Sequence, residues 1–486
     1  MRIIGNNPAA DNAEITAVAS GTLPDGKAVV VNADGTVSVA AETAITAAFG
    51  SITTASSSEI AGSAAVYDEA SNKVVFFYKD DGNNQYGTAI VGTISGTSIS
   101  FGSPVVYTSQ RAAVGTESAA YDANQQKVVV SYLDYDNGQY RAIVGTVSGT
   151  SISFGSPASI YSGTQQFPSV VYDVNAQKIV VGYHQRNNSY RGVMHVGTVS
   201  GTSISFGTAQ VFNSNESNGI TLSYDAVAQK VVACYRDNGN SQYGTAIAGT
   251  LSGASVSFGS PFVFRSATTN DNVTCYDANT DKTIVCFQDG GNSNRGTAYE
   301  LSLTGSTVSL GNTEVFDTNT CATFAPVYNS SSSSLIILYR NLSSSAAGTY
   351  VVGSVGGLSS PAVFDSTNIT SDTISAAYDI TSKRVVSSYV DSQSSPANQL
   401  KSIVYRSSGT STNLTSENFI GFANGASADT GTARVQIGSG INTAQSSLTA
   451  GQQYFVQTDG TLGLTAADPS VLAGTAVSAT KLIVKG

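Results

Sequence analysis

Short runs of β-branched and aromatic residues recur along most of the chain, and clusters of Gly, Ser, Asn and Asp separate them. In the segment 118–160, apolar runs fall at 118–121, 127–133, 141–147 and 151–160. No window keeps an apolar period of 3.6 residues, so helices are expected to be nearly absent. The pattern predicts four short antiparallel strands in this segment.

The same pattern recurs at intervals that run from 50 residues (Tyr328 to Tyr378) to 54 residues (Tyr67 to Tyr121). Each copy has a Tyr that is followed by Asp, or by Asn in one copy, and a second aromatic residue eleven positions later. The first set is Tyr67, Tyr121, Tyr172, Tyr224, Tyr276, Tyr328 and Tyr378, and the second is Tyr78, Tyr132, Tyr183, Tyr235, Phe287, Tyr339 and Tyr389. Seven four-strand copies predict an all-β fold, a seven-bladed β-propeller over residues 43–408. A linear β-solenoid is the alternative, although its repeats are usually shorter.

The seventh copy lacks a fourth strand after residue 406. Fourth strands in earlier copies carry a Phe-Gly pair, as at Phe101-Gly102, and an additional pair stands 52 residues earlier at Phe49-Gly50. An open ring would expose an unpaired strand edge. We therefore expect the segment 43–54 to close the ring as the fourth strand of blade seven.

The two flanks, residues 1–42 and 409–486, resemble each other. Each places an Asp-Gly pair between alternating strands, at Asp34-Gly35 and Asp459-Gly460, and Asp-Gly is a strong hairpin signal. Ring closure would bring the flanks together. The sequence thus predicts an N-terminal β segment and a C-terminal β domain that form one small unit or two similar units side by side.

The charge and hydropathy of the chain exclude several classes of partner. There are 23 Lys and Arg against 33 Asp and Glu, a net charge of −10, which argues against nucleic acid and anionic membranes. No stretch approaches 18 apolar residues, so no membrane span is expected. The Ser-, Thr- and Gly-rich texture is typical of proteins exposed outside cells, yet residues 1–8 show no apolar signal segment. Release by lysis, in or on a virus particle, would reconcile a composition typical of exposed proteins with the lack of an apolar signal segment.

Residues suited to catalysis or metal binding are few. The chain has two His and no Trp, and His184 and His195 have no third ligand nearby in the sequence, so both are interpreted as surface residues. Hydrolase elbow, zinc-protease and phosphate-loop motifs are absent, as is the Trp-containing sialidase box. We expect no enzyme, no cofactor and no metal. The four Cys match no zinc or redox spacing and are expected to be free and buried, although Cys275 and Cys286 could face each other across a hairpin.

The loops between second and third strands are the candidate ligand-binding rim. Their acids and amides could recognise sugar hydroxyls, and their Tyr rings could pack on sugar faces. The candidates are Asp80, Asn83, Tyr86, Asp134, Asp136, Asn137, Tyr140, Tyr190, Asp237, Asn240, Tyr243 and Asp289. Two alternatives stay open for the acids, a calcium site and simple turn formation. For the Tyr residues, the alternative is packing on their own blade.

The flanks are similar to segments of virion structural proteins of marine phages, cyanophages among them. The resemblance lies in residues 20–38 (SGTLPDGKAVVVNADGTVS), 418–423 (NFIGFA) and 451–485, which runs from GQQYFV through TDGTL to ATKLIVK. It covers about a quarter of the chain and transfers no site residue. It implies a tail-fibre-like or capsid-decorating protein, assembled in the host cytoplasm and released by lysis, whose flanks dock on other virion proteins or on copies of themselves.

Two functions of different classes follow. The first is a virion protein that displays a propeller toward a host-surface glycan or glycoprotein. The second is a soluble lectin-like or glycan-cleaving propeller of a bacterium.

Overall fold

The computed structural model describes residues 13–163 and 167–485, and it divides into two compact units. The repeat unit is Ala48–Arg406, and the flank unit is Met1–Ala47 with Ser407–Gly486. The predicted boundary after residue 42 differs from this division by five residues. Residues 1–12 of the predicted N-terminal segment lie outside the described residues.

Strands make up nearly all of the regular structure. The flank unit begins with β1 (Glu14–Val18), β2 (Ala28–Val31), β3 (Val37–Val39) and β4 (Glu42–Ile45). The repeat unit contains β5 (Ala48–Phe49), β6 (Thr53–Ser56), β7 (Ile60–Asp68), β8 (Lys73–Asp80), β9 (Tyr86–Ser95), β10 (Ser98–Phe101), β11 (Val105–Ala113), β12 (Ala119–Asp122), β13 (Lys127–Asp134), β14 (Gln139–Ser148), β15 (Ser151–Phe154), β16 (Ala158–Ser162), β17 (Ser169–Asp173), β18 (Lys178–Gln185), β19 (Arg191–Ser200), β20 (Ser203–Phe206), β21 (Gln210–Asp225), β22 (Lys230–Asp237), β23 (Tyr243–Ser252), β24 (Ser255–Phe258), β25 (Phe262–Asp277), β26 (Lys282–Asp289), β27 (Arg295–Thr304), β28 (Thr307–Asn329), β29 (Ser334–Asn341), β30 (Ala347–Gly353), β31 (Ala362–Asp365), β32 (Ser375–Asp379), β33 (Arg384–Asp391) and β34 (Gln399–Arg406). The flank unit ends with β35 (Gly409–Thr412), β36 (Phe419–Ala423), β37 (Thr432–Gln436), β38 (Ile441–Asn442), β39 (Gln453–Val456), β40 (Leu462–Gly463), β41 (Val471–Ser478) and β42 (Lys481–Val484). Three 3-10 turns span Arg186–Asn188, Asn238–Asn240 and Gly290–Asn292.

Each repeat is an antiparallel meander. In the second copy, β12 pairs with β13 (Tyr121 opposite Val128), and β13 pairs with β14. The outer position is split between β15 and β16, which both pair with β14. The structure therefore confirms the predicted all-β class and the four-position repeat.

Some strands serve two repeats. The first half of β21 pairs with β19, and its second half pairs with β22 of the next sheet. The strands β25 and β28 do the same one and two repeats later. A single extended segment thus ends one sheet and begins the next.

Apolar clusters fill the space between consecutive repeats, and one of them joins the last repeat to the first. That cluster contains Tyr67 and Val74 from the first repeat with Val386 and Leu400 from the last. A further cluster brings β-strands of the sixth and seventh repeats together around Tyr389. Residues of the last repeat therefore pack against residues of the first.

The N-terminal segment supplies the outer strands of the last sheet. Phe49 of β5 lies opposite Tyr405, and Thr54 of β6 lies opposite Lys401, both on β34. The predicted strand 43–54 begins too early, because β4 pairs with β35 within the flank unit. Residues 42–45 carry no aromatic ring to bury, whereas Phe49 does.

The Tyr-Asp pair holds neighbouring repeats together. The Tyr121 hydroxyl accepts a hydrogen bond from the N–H of Ala70 in the preceding repeat (3.1 Å). The Tyr67 hydroxyl donates to Thr381 Oγ1 of the last repeat (2.8 Å). The acid instead caps its own turn, as Asp122 does by accepting the N–H of residue 125 (3.0 Å). These two roles explain why the pair recurs.

The flank unit contains two five-stranded sheets, in the orders β1-β37-β36-β2-β3 and β38-β42-β41-β39-β40. Both chain ends contribute to the first sheet, where Ala28 lies opposite Phe422. A shared apolar cluster contains Val30, Tyr454 and Leu482 from the two sheets. A membrane-crossing helix is not found among the described residues.

The four Cys are free. Cys275 lies opposite Ile284 and Cys286 lies opposite Val273, so the two thiols are not cross-strand partners. Both predicted surface His are buried, at 2% exposure for His184 and 8% for His195. Their rings bond backbone carbonyls, Ser217 O at 3.1 Å and Gly207 O at 2.9 Å, and burial lowers the pKa of both imidazoles. The surface interpretation was wrong because the strands bearing them face the packed space between sheets.

Candidate ligand-binding cavity

A cavity of about 390 Å³ lies where the first strands of successive repeats begin. We call it the central cavity. Its lining comes from six consecutive repeats, at residues 115–117, 167–169, 218–220, 269–273, 323–324 and Asp372, together with Arg236. A pocket of this size is typical of small-molecule sites.

The backbone around the cavity mouth is unusual. Register shifts interrupt the first strands between Asn270 and Val273 and between Ala322 and Phe324. Beside these shifts, three non-glycine residues adopt positive φ: Asp271 (50°), Thr323 (50°) and Asp372 (57°). The left-handed region is costly for a β-branched residue and is often found at functional sites.

The strained residues are linked from repeat to repeat. The Thr323 N–H donates to Asp271 Oδ2 (3.1 Å), and the Asp372 N–H donates to Thr323 Oγ1 (3.2 Å). Each side chain therefore satisfies a backbone N–H that the strand irregularity leaves unpaired, a group that is costly to bury without a partner. The links hold the acidic side of the cavity mouth in place.

Glu117 reaches across the cavity floor. Its Oε2 accepts from the Ser169 hydroxyl (2.9 Å), and its Oε1 accepts from the Thr221 hydroxyl (2.7 Å) and the Thr274 N–H (3.0 Å). One side chain of the second repeat thereby contacts the third, fourth and fifth repeats. Burial raises the pKa of Glu117 to about 7, although these three donors oppose the shift. The carboxyl can thus change its charge near neutral pH.

Glu117 also lines a smaller cavity of about 160 Å³. Thr116, Val273 and Phe324 line both cavities with it. The smaller cavity continues along the first strands past Ala65 and Ser375. Glu117 is therefore shared by the two cavities.

Further charges surround the cavity. Burial and the neighbouring Asp271 raise the pKa of Asp372, whereas Arg340 opposes that shift. Arg236 lines the cavity and donates through Nη1 to Asn270 Oδ1 and through Nε to Asn238 Oδ1 (3.1 Å). The site therefore combines carboxyls, amides and one guanidinium.

Two polar atoms of the lining have no hydrogen-bond partner among the described residues. They are Asn272 Oδ1 and Thr269 Oγ1, and their residues are 6% and 1% exposed. Buried polar atoms of native proteins are nearly always satisfied. Both atoms have almost no solvent-accessible surface, so a bound molecule supplies the missing bonds only after the side chains around them shift.

The predicted rim acids lie elsewhere and are largely committed to their own loops. Asp134 is buried, bonds the N–H and amide of Asn137, and pairs with Arg141 (3.0 Å). Asp237 and Asp289 cap 3-10 turns by accepting the N–H two residues on. Turn formation, the simpler of the two alternatives, thus describes their contacts. Within residues 13–163 and 167–485, no three His, Cys, Asp or Glu side chains gather as a metal site would require.

The remaining rim acids and amides differ in exposure. Asp80 is buried, and burial raises the pKa of its carboxyl. Asp136 is exposed and pairs with Arg111 (2.7 Å), whose N–H and guanidinium lower the pKa of that carboxyl. Asn137 and Asn240 are exposed, and Asn83 is half-buried. None of the twelve candidates lines the central cavity.

The rim Tyr residues are not equivalent. Tyr140 is 1% exposed, because its ring packs against Tyr161 and Tyr183 between two sheets. The prediction that Tyr140 is an exposed residue of the rim is therefore corrected: the residue is buried. Tyr86, Tyr190 and Tyr243 are half-buried. Packing on the protein accounts for Tyr140, and the other three still present part of each ring to solvent.

The sequence analysis missed the cavity residues. Counting back from each Tyr-Asp pair, Glu117 occupies a position that other repeats fill with residues such as Ser63, Pro168 and Ile220. Aligning the seven repeats on their Tyr-Asp pairs shows that only the second copy has an acid at this position, and this difference could have indicated the site. The residues that the repeats share build the fold, whereas the cavity depends on positions at which the repeats differ.

No protein-family model and no curated protein matches the chain. Among solved structures it is similar to the BP39L lectin from Burkholderia pseudomallei, with a TM-score of 0.54 and 11% identity over 74% of this chain and 98% of that one. It is also similar to a Dyadobacter fermentans protein of unknown function (TM-score 0.44, 10% identity, 75% and 98% covered) and to AofleA from Arthrobotrys oligospora (0.41, 10%, 81% and 95%). The first likeness establishes the fold class, a β-propeller similar to that of a lectin.

Proposed function

We propose that this protein is a non-catalytic carbohydrate-binding β-propeller with seven blades. Seven copies of the Tyr and aromatic pair support the blade count. The cluster that joins the first and last repeats, and the pairing of β5 and β6 with β34, support a closed ring. Closure would leave no blade edge open to another chain.

The central cavity is the observation on which the binding proposal rests. Its lining offers carboxylate and amide oxygens that can accept from hydroxyls, including the unpaired Asn272 Oδ1. It also offers apolar surface, since Phe167 is 37% exposed and lies in the lining with Phe324. Sugars present hydroxyl edges and apolar C–H faces, and this combination suits both.

Of the two functions that the sequence left open, the likeness of the fold to a lectin favours the carbohydrate-binding propeller. The location on a virus particle rests on the flank resemblance alone and stays a prediction. Glycans would be ligands whether the chain is a virion protein or a soluble lectin-like protein, so the first question is whether the chain binds sugar.

The test is a glycan array with the full chain, followed by calorimetry on the best ligand. We expect one ligand per chain, and we expect Asn272→Ala to weaken binding at least tenfold. Asn124→Ala removes an exposed amide from a turn outside the cavity lining and is the matched control. A loss in Asn240→Ala without a loss in Asn272→Ala would move the site to the rim.

Two results would reject the proposal. An array with no bound glycan would remove the carbohydrate-binding function. Release of free sugar from the bound ligand, abolished by substituting Glu117, would make the protein an enzyme.

A further inference from the structure

The charges of the central cavity are unbalanced. Three carboxyls line it, those of Glu117, Asp271 and Asp372, and Arg236 carries the one positive charge among the described lining residues. The Arg236 guanidinium is already hydrogen-bonded to two amide oxygens. The cavity therefore offers more negative charge than its own cation offsets.

Glu117 shows the imbalance most clearly. Its three donors are all neutral: the hydroxyls of Ser169 and Thr221 and the N–H of Thr274. Within the described part of the chain, no Lys or Arg forms an ion pair with it. Glu117 is half-buried, and a carboxylate that is partly withdrawn from water without a cation is disfavoured, so it tends to take up a proton or a positive ligand. The pKa of about 7 agrees with this.

The unsatisfied atoms indicate the same kind of ligand. Asn272 Oδ1 is an acceptor without a donor, and Thr269 Oγ1 also lacks a partner. From the described residues, Glu117 Oε1 accepts two hydrogen bonds and Oε2 accepts one. A complementary molecule would bring several donors, and an ammonium group brings three together with a positive charge.

We propose that the central cavity binds a sugar that carries a protonated amine, with Glu117 as the counter-ion of the ammonium group and Asn272 as a hydrogen-bond acceptor. This inference rests on the proposed carbohydrate-binding function and names its ligand class. Asp271 and Asp372 add negative charge at the cavity mouth. Acetylating the amine would remove the charge and two of the donors, so an N-acetylated sugar is a weak ligand.

The ionisation of Glu117 controls this binding. The facing groups are Asp271, Asp372 and Arg236 in the lining, Arg340 beside the two Asp, and the thiols of Cys234 and Cys275. Burial raises the pKa of both thiols, so they stay neutral at pH 6–7. With a pKa of about 7, the ionised fraction of Glu117 falls about fivefold between pH 7.0 and pH 6.0. The ammonium of the ligand stays charged over the same range.

Calorimetry on the full chain tests the inference with three probes: glucosamine, N-acetylglucosamine and glucose. We expect glucosamine to bind at least tenfold more tightly than the other two at pH 7.0, and about fivefold more weakly at pH 6.0. Glu117→Gln keeps the shape and one acceptor oxygen, which can still accept from Thr221 and Thr274, and it is expected to weaken glucosamine binding about tenfold and to abolish the pH dependence. Glu69→Gln, an exposed acid on a turn outside the cavity, is the matched control.

Each outcome decides between the two proposals. Equal affinity for all three sugars, or an unchanged Glu117→Gln variant, would overturn the cationic ligand class and leave carbohydrate binding intact. Failure of every glycan on the array would reject carbohydrate binding itself. If Glu117→Gln does not fold, Asp372→Asn replaces it, and it is expected to lower glucosamine affinity by less than tenfold and by more than it lowers glucose affinity. An unchanged Asp372→Asn would then count against the inference.

Discussion

Gly50 lies so close to Thr97 that a Cβ on residue 50 would stand 1.8 Å from the Thr97 carbonyl oxygen. Gly102 has the same relationship to Thr150 one repeat later, at 1.9 Å. The N-terminal segment therefore meets the first repeat as the outer strand of one repeat meets the next. This close approach explains why Gly recurs after Phe in the outer strands.

Gly50→Ala is expected to destabilise the protein by about 1–3 kcal/mol, the range for forced overpacking. The added methyl would meet backbone atoms, which cannot rotate away. Urea unfolding of both proteins measures the difference. Gly409→Ala is the control, because nothing lies within 4 Å of its Cβ position. Equal loss in the two variants would contradict the close packing of Gly50.

Phe49→Ala tests the contribution of the N-terminal segment through a side chain. The Phe49 ring packs against three aromatic rings, with centroid-to-centroid distances of 4.8 Å to Tyr350, 5.0 Å to Tyr405 and 5.6 Å to Phe364. The residue is half-buried rather than fully buried. We therefore expect a loss of about 2–3 kcal/mol, at or below the lower end of the range of about 3–5 kcal/mol for Phe truncation in cores.

Removing residues 1–55 is a harsher form of the same test. The deletion takes away β5 and most of β6 and exposes the edge of β34, which invites association between chains. Light scattering is expected to show aggregation. A soluble deletion variant as stable as the full chain would rule out a closing role for this segment.

Glu117 is expected to make stability depend on pH. Its pKa is raised from 4.5 to about 7 in the folded chain, so the folded state holds the proton more tightly than the unfolded state does. Stability therefore falls as pH rises from about 4.5 to 7, by an amount on the order of 2 kcal/mol. Melting curves at pH 5.0 and 7.5 should show a smaller decline for Glu117→Gln. An identical decline would mean that other acids, such as Asp225 and Asp372, carry the dependence.

The virion location predicted from the flanks has its own measurement. Mass spectrometry of purified particles from lysates that contain this protein is expected to detect its peptides at a fixed ratio to the structural proteins. Peptides that remain in the soluble fraction would exclude the location. Neither result bears on sugar binding, which is tested with the isolated chain.

The repeat could be predicted from the sequence because its residues act locally or between adjacent repeats. Asp122 caps its own turn. Tyr121 bonds Ala70 in the turn of the preceding repeat. Both residue types therefore recur at a fixed spacing. The cavity could not be predicted in the same way. Glu117 meets Thr274 across 157 positions of sequence, and the contact depends on the fold bringing non-adjacent repeats together.

The rim shows a different limit. Asp, Asn and Tyr are suited both to turns and to sugar recognition, so their presence in loops could not distinguish the two. The structure separates individual cases through burial, as with Asp134 at 0% and Tyr140 at 1% exposure. Exposed Asn240 and half-buried Tyr243 keep their place as candidates for the rim.

The strands shared between sheets decide where the chain can accept foreign sequence. In β21, residues 216 and 217 are consecutive, yet they pair with different sheets, so an inserted tag there would push two sheets apart. The hairpin at Gly35, between β2 and β3, has no atom within 4 Å of the glycine's Cβ position, and its turn is exposed. Fluorescent labels and affinity tags for the binding experiments therefore belong at such hairpins, where the chain can lengthen without disturbing the contacts between repeats.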